Sequence, residues 1–595
     1  MEQLTSALGS VTIPGISYVV DSGRQKCRNF HAGTGVASYD VMWISKAAAD
    51  QRAGRAGRTG PGHCYRLYSS SVYTRYFDQF AIPEVLSRPL EDVVLAMKAM
   101  NVSNVTAFPF PTSPSQTQIN AAIRLLANLG CIDTSQVERD GGDGTITKLG
   151  RAVSQLPLGV RYGKMLLVAA QANVLDYAIA LVAILSEKSP FEHCPEDGEK
   201  GNPTSGKESE RLDDIDRRQL AEKEKEKKRE ARGQWQHDGG DVLAALKAVG
   251  AYAFAGRGAG GLSEKMACRN FCRENGLNAT VMERVAKMRL HLCKLAKTRL
   301  PNAGGVASET GKFSPSMPPP KRLQECLLRQ AIASGLLDNV ARRAPPGALP
   351  AEFSGISRSA YICGGNASLK EALFIDNSST LHSKRPEWVC YDSIVRKAKK
   401  DGTTVAVMQR VTPVDPDWLA SVCAGSILLK TGKVLAIPTP RYDREKDSIQ
   451  CAVETRFGSQ GWEIPPRFVD MNCSVDEKSS AGASDTDERY RWFARYLLEG
   501  RVVPELEGFK TLLNECPSII TKRKPAKKVT LVVSALSDAG ICTASALRKH
   551  WAEQSNKFLF KTLKLWVKPD ETSEAKRTWI SAVNANVDLY RSNKG

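Results

Sequence analysis

No run of about 18 consecutive apolar residues occurs in the chain, so a membrane-spanning helix is excluded. Residues 1–20 also lack a basic start followed by an apolar core, so no secretory leader is expected there. The 15 cysteines have no paired spacing, which argues against a disulfide framework and suits a reducing compartment. Acidic residues are in short supply: 64 Asp and Glu face 83 Lys and Arg, for a formal net charge of +19. That sign implies a polyanionic partner, nucleic acid before membrane, because neutralising phosphates releases counterions. Two catalytic signatures are missing as well. No phosphate-binding loop followed by Lys-Ser/Thr is present, and no Asp-Glu-x-His. The formal hit Gly201-Asn202-Pro203-Thr204-Ser205-Gly206-Lys207 is followed by Glu208 and sits in a charged stretch with no strand before it.

A chain of 595 residues with 42% hydrophobic and 25% charged residues is soluble, globular and long enough for several cores. Residues 1–72 alternate short apolar strands with glycine turns. Ile16 to Asp21 reads as a buried strand and His63 to Tyr68 as another, while Arg24 to Trp43 reads as a hairpin turning near Gly33-Thr34-Gly35. Residues 73–152 predict a helix over Glu84–Met100, another over Ser115–Leu129, and a small strand pair at Thr145–Gly150. Residues 153–300 predict helices, including an apolar run from Tyr162 to Leu185, interrupted by a charged insertion at 192–232. Cys268, Cys272, His291 and Cys293 fit no common zinc spacing; the first two share a helical face, so packing is expected and no metal site. Residues 301–321 are rich in Gly, Ser and Pro and read as a flexible linker. Over 322–475, a helix at Leu323–Gln330 precedes short strands spaced as in a small β-barrel, with Trp388 and Trp418 as core. After a second polar linker at 475–487, Tyr490, Phe493 and Leu497 form a core stripe opening a C-terminal extension at 489–595. Within it, Lys522-Arg523-Lys524-Pro525-Ala526-Lys527-Lys528 could be a nuclear import signal, an rRNA-contacting loop or a plain solvated loop.

The most specific stretch is Gln51-Arg52-Ala53-Gly54-Arg55-Ala56-Gly57-Arg58. Ser45 is a good N-cap, the alanine-rich run after it predicts a short helix, and the glycines end that helix. Arg55 and Arg58 then stand three residues apart on a turn, where two planar guanidiniums suit the oxygens of a polyphosphate. The block resembles the sixth motif of superfamily-2 RNA helicases of the DEAH-box class. In that family the glutamine and the last two arginines reach the ATP γ-phosphate between two RecA-like lobes, which makes Gln51, Arg55 and Arg58 the candidate catalytic residues.

Val11 to Gly15 and Val19 to Gly23 resemble the end of the family's fifth motif and the strand after it, and the likeness is nearly continuous to Ser69. It places Ser10 and Thr12 near the nucleotide and RNA; the threonine that grips an RNA phosphate in the family is Leu4 here. In the family the hairpin protrudes toward RNA. Residues 267–278 resemble the ratchet-like helical domain, and Pro386–Val389 with Val411–Leu419 resemble the OB-fold-like domain. Residues 489–500 and Gln324–Arg343 resemble one nucleolar branch, that of the small-subunit processome. The implied architecture is multidomain α/β plus α plus β: part of a second RecA-like lobe (1–72), a winged helix (73–152), a ratchet-like domain, an OB-fold-like domain and the extension.

The resemblance implies ATP-driven remodelling of pre-rRNA in 18S maturation, with release of a small nucleolar RNA, in the nucleolus. It implies ATP with Mg²⁺ as cofactor in the complete enzyme and none bound by this chain alone. Its implied partners are RNA, pre-ribosomal proteins and an activating protein, with no membrane. The simplest expectation for the missing motifs is a truncated gene model, with Met1 an internal methionine or a misplaced start. The rival reading is a non-catalytic RNA-binding scaffold descended from a helicase. The altered segment Leu4–Gly9 favours it, and the intact 51–58 block speaks against it.

Overall fold

The computed structural model describes residues 16–31, 36–57, 60–135, 143–191, 231–256, 264–300, 318–345, 359–398, 404–471, 484–522 and 527–592, except positions 82, 88, 367, 368 and 370. The chain forms two units. The first comprises residues 1–430 with 457–462, the second residues 431–456 with 463–595.

The first unit opens with strand β1 (Tyr18–Asp21), a hairpin of β2 (Arg24–His31) and β3 (Val36–Trp43), helix α1 (Lys46–Ala53), strand β4 (His63–Arg66) and helix α2 (Ser70–Tyr76). β1 and β4 pair in parallel from Tyr18–His63 to Asp21–Arg66. The hairpin pairs eight residues on each side, from Arg24–Trp43 to His31–Val36, and the Arg24 guanidinium lies 3.2 Å from the Trp43 ring centre. The glycine turn expected at 33–35 lies outside the described residues. The expectation of buried strands is corrected here. Tyr18 and Val20 are 66% and 67% exposed, and Tyr65 is 56% exposed, because β1 and β4 pair only with each other among the described residues. Packing is confined to the α1 side, where Ile44, Ala49 and Phe77 form a small core under Trp43, Tyr68 and Tyr73.

The next stretch is helical with a strand pair. The single helix expected over 84–100 is two, Glu84–Ser87 and Glu91–Ala99, because Pro89 cannot continue the first. Ser115 closes a capping box with Gln118 at the start of helix Gln116–Asn128. The strand expected at 145–150 is only Thr145–Ile146, paired with Ile132–Asp133. Thr147 then N-caps helix Lys148–Ser154 by accepting from the Gly150 amide.

The apolar run 162–185 likewise divides, into helices Val160–Gln171 and Leu175–Leu185, with Asn173 at φ 56° between them. Every residue of the second helix except Asp176 is buried, and helices Asp241–Ala255 and Ala279–Arg299 pack on it. Cys268 and Cys272 are buried on one face of helix Glu264–Glu274, as the spacing predicts. Most of the insertion, 192–230, and most of the linker, 301–317, lie outside the described residues.

Helix Arg322–Gly335 leads into a seven-stranded sheet. Its order is Ser393–Ala398, Thr404–Gln409, Leu373–Ile375, Ala360–Cys363, Val340–Arg343, Trp388–Cys390, Thr412–Pro413. All described registers are antiparallel except that of Thr404–Gln409 with Leu373–Ile375. Tyr361, Leu373, Tyr391 and Met408 fill its core, and Trp388 is buried edge-on against Trp462. Asp241, first residue of its helix, ties the helical part to this sheet. Its carboxylate accepts from the Thr380 and Val411 amides at 2.8 and 2.9 Å and from both the Ser379 and Thr380 hydroxyls. Gly240 before it has φ +93°, and a Cβ there would meet the Val411 carbonyl oxygen at 2.4 Å, so only glycine fits.

The expected barrel range 322–475 extends into the second unit. There the paired strands Arg441–Asp443, Ser448–Phe457 and Trp462–Asp470 precede the helical extension. Tyr490, Phe493 and Leu497 are buried, as their spacing predicts, with Phe509, Trp551, Trp566 and Trp579. Asp447, in the turn before strand Ser448–Phe457, accepts from the Tyr442 hydroxyl and from the Ala544 and Ser545 amides at 2.6 and 2.7 Å. It thereby caps helix Ala544–Glu553 from outside that helix.

Candidate functional site

The block 51–58 is held by local chemistry that the sequence announces. The Ser45 hydroxyl accepts from the Ala48 amide at 3.2 Å, and α1 ends at Ala53. Arg55 and Ala56 then donate to the carbonyls of Arg52 and Ala53 at 3.1 Å, so the chain turns tightly beyond the helix. Ala56 is buried, and the returning segment passes so close that a Cβ on Gly62 would lie 2.1 Å from the Ala56 carbonyl oxygen. Gln51 is exposed on α1 and Arg55 is half-buried in the turn. Arg58 lies outside the described residues, as do Ser10 and Thr12.

Arg52 faces a different way. Its guanidinium pairs with Asp21 at 2.8 Å, and the Asp21 side chain is wholly buried. The other carboxylate oxygen accepts from the Tyr68 hydroxyl at 3.0 Å, and the Gly23 amide donates at 3.0 Å to the oxygen Arg52 uses. Burial and the bond to Asp21 push the Tyr68 hydroxyl up to about 12. Arg52 also donates to the Arg24 carbonyl at 3.3 Å, the first residue of the hairpin. One side chain therefore joins the motif helix to β1 and to the root of the hairpin. Sequence reasoning missed this pair, since the partners are 31 residues apart.

A second feature is a cavity of about 930 Å³ between the segments described after α2. Arg124 and Gln118 line it from helix Gln116–Asn128, Lys188 and Arg232 from the helical part, and Asp392 and Arg410 from the sheet. Two of its arginines are committed to the fold. Arg161 donates to both oxygens of Asp338; burial works against its charge, but that carboxylate and Glu91 keep the guanidinium protonated. Arg410, at φ 54°, donates to the carbonyls of Ile184, Leu185 and Glu187 at the end of their helix, and to Asp392 at 2.7 Å. Burial raises Glu91 above the usual carboxylate range; it also raises Asp92, although the Val160 amide opposes it. Arg124 and Lys188 are exposed on the walls, cations in reach of a polyanion within the cavity. Of the basic run in the extension, Lys522 is exposed, while Arg523 and Lys524 lie outside the described residues.

In the described part of the block the Gln51 amide stands on α1 and the Arg55 guanidinium in the turn beyond it, and Arg52 between them ties the helix to Asp21. The 595 residues contain no phosphate-binding loop followed by Lys-Ser/Thr.

Comparison with known proteins places these parts. Residues 160–245 match the helicase associated domain (HA2), ratchet-like, and residues 328–426 match the oligonucleotide/oligosaccharide-binding (OB)-fold. The chain is 35% identical over 550 residues to the probable ATP-dependent RNA helicase kurz of Drosophila melanogaster, covering 91% of this chain and 42% of that protein. It is 32% identical over 606 residues to ATP-dependent RNA helicase DEAH13 of Arabidopsis thaliana, covering 96% of this chain and 44% of the relative. It is 33% identical over 587 residues to the probable ATP-dependent RNA helicase DHX37 of Homo sapiens, covering 96% and 46%. The chain thus spans less than half the length of these relatives. Its matched domains and its relatives agree with the block at 51–58, and the chain belongs to the DEAH-box RNA helicases, of which it carries a C-terminal portion.

Proposed function

We propose that the chain is the part of an ATP-dependent RNA helicase that supplies one wall of the nucleotide site and much of the RNA path. Its role is the remodelling of pre-ribosomal RNA in 18S maturation, with release of a small nucleolar RNA, in the nucleolus. The observation that carries the reading is the anchored turn at 51–57, because a scaffold has no use for γ-phosphate ligands held this way. Support for the branch comes from relatives that align over more than nine-tenths of the chain and so share its C-terminal unit.

Gln51, Arg55 and Arg58 orient the γ-phosphate and neutralise charge there. Bound ATP with Mg²⁺ supplies the free energy of phosphoanhydride hydrolysis, and the residues that cradle it belong to the complete enzyme. Arg52 holds α1 and the hairpin root as one body, so a shift of the motif helix moves the hairpin. RNA occupies the cavity, with the exposed Arg124 and Lys188 meeting phosphates while Arg161 and Arg410 keep the walls in place. The winged-helix segment at 73–152 acts as packing and hinge, and an activating protein partner completes the assembly.

The test uses a protein carrying this chain behind a phosphate-binding loop and an Asp-Glu-x-His segment. Arg55→Ala should abolish RNA-stimulated ATP hydrolysis and leave RNA binding near its original level. Unchanged hydrolysis refutes the role given to the turn and favours the scaffold.

A further inference from the structure

Residues 484–595 hold 20 Lys and Arg against 13 Asp and Glu, and the imbalance is concentrated. The two stretches 510–528 and 557–568 contain ten of those cations and a single acid, Glu515. The fold brings residues 512–514 of the first stretch against 566–568 of the second. The Asn514 amide donates to the Trp566 carbonyl at 2.8 Å, the Lys568 amide donates to the Leu512 carbonyl at 3.0 Å, and Leu513 bridges Val567. Lys528 packs its ammonium 4.8 Å from the Trp566 ring centre and pairs with Glu515 at 2.7 Å, so the one acid of the two stretches is paired within them. Lys510, Lys522, Lys527, Lys561, Lys564 and Lys568 are exposed around that junction. Lys527 also begins helix Lys527–Asp538, whose positive end adds to the field.

We propose that this face of the C-terminal unit is a second RNA-binding surface, one that grips phosphodiester backbone without reading sequence. Lysine ammoniums are point charges that suit phosphates in any register. No fully exposed ring accompanies them: Trp566 and Phe509 are buried, and Phe558 and Phe560 pack against the core, so bases have little to stack on. The surface lies wholly within the second unit and needs no nucleotide; it rests on the proposed function only in taking RNA as the polyanion.

The experiment measures binding of the whole chain to a fluorescent single-stranded RNA across a salt series, with no ATP. The comparison is a variant carrying Lys510→Glu, Lys527→Glu, Lys561→Glu and Lys564→Glu, checked for retained helicity. Each lost phosphate contact lowers the slope of log K against log salt by about 0.7, so the slope should fall by up to about 3 and affinity at ~0.1 M salt by tenfold or more. RNA substituted with 4-thiouridine should crosslink to peptides within 510–528 and 557–568 of the unaltered chain, a readout that does not depend on the variant. If the chain binds RNA but the variant keeps its affinity and slope, or those peptides do not crosslink, this surface is refuted and the proposed function stands. If the unaltered chain binds no RNA, both fail. Loss of poly-glutamate binding with RNA binding unchanged overturns the proposal in favour of an acidic polypeptide partner.

Discussion

The pair Arg52–Asp21 makes a sharp test of how the motif helix is held. Arg52→Ala leaves the Asp21 carboxylate buried with two of its three donors, the Gly23 amide and the Tyr68 hydroxyl. Removing one partner of a buried ion pair costs about 3–5 kcal/mol. The two remaining donors and the partly exposed guanidinium reduce that to about 2–3 kcal/mol here. Asp21→Asn removes the charge but keeps an oxygen facing both Arg52 and Gly23, so it should cost about 1 kcal/mol. In the double variant no buried charge is stranded, and it should be more stable than Arg52→Ala alone, with a coupling of at least ~1 kcal/mol. Because the chain has two units, a single melting temperature is a poor measure, and hydrogen exchange resolved by segment is the better assay. The reporting amide is that of Leu67, which donates to the Asp21 carbonyl at 2.8 Å. Its exchange should accelerate about 30- to 150-fold in Arg52→Ala and less than tenfold in Asp21→Asn. Equal effects of the two single changes, or strict additivity in the double, would show that the carboxylate is not stabilised by Arg52 as argued.

Three further outcomes follow from other sites. Gly62→Ala should open the turn at 54–57, since its Cβ cannot sit 2.1 Å from a carbonyl oxygen. A cost of about 1–3 kcal/mol is expected, visible as new proteolytic cleavage there. Burial brings the Lys164 ammonium down to about 8 while it donates to the Leu129 carbonyl. Between pH 8 and its unfolded value near 10.5 the unfolded state holds the extra proton, so stability should rise with pH across that window by on the order of 3 kcal/mol; Lys164→Met should flatten the rise in denaturant titrations. Burial opposes the charge of Asp447, but the Tyr442 hydroxyl and the Ser545 and Ala544 amides overcome it and hold the carboxylate below its usual range. The stability it contributes is therefore present above the ordinary carboxylate value of 3.8 and lost as pH falls below it. Asp447→Ala should remove that acid-side loss and fray helix Ala544–Glu553, as circular dichroism would register.

What was legible in the sequence was local. Ser45 and Ser115 announce their helices through a hydroxyl and an amide three residues away, and the hairpin shows as two strands of matching length. Breaks within helices were less legible. Pro89 splits one predicted helix and Asn173 another, because apolar periodicity runs on through a short interruption. Exposure was misjudged at Tyr18 and Val20, since an apolar strand reads as buried whether or not its neighbours are present. Contacts between distant parts left no local trace: Arg161 meets Asp338 across 177 positions, and no pattern near either residue foretells it. The same holds for the extension. There the run at 522–528 stood out, but the packing of Lys528 on Trp566 emerges only from the fold.

Asp241 has a consequence for how such a protein can be cut or shuffled. Its carboxylate stands where a helix start would ordinarily find its partners nearby, yet the donors it serves come from Ser379, Thr380 and Val411, at least 138 positions later. The domain match ending at 245 and the one beginning at 328 therefore name two pieces of sequence that are one piece of physics. A fragment ending before 379 would lack the donors that serve this carboxylate, and one beginning after 241 would leave the Val411 and Thr380 amides without this acceptor. Lengthening the chain between the two pieces leaves that contact intact, whereas dividing it does not. Insertions are therefore tolerable in this region where recombination breakpoints are not.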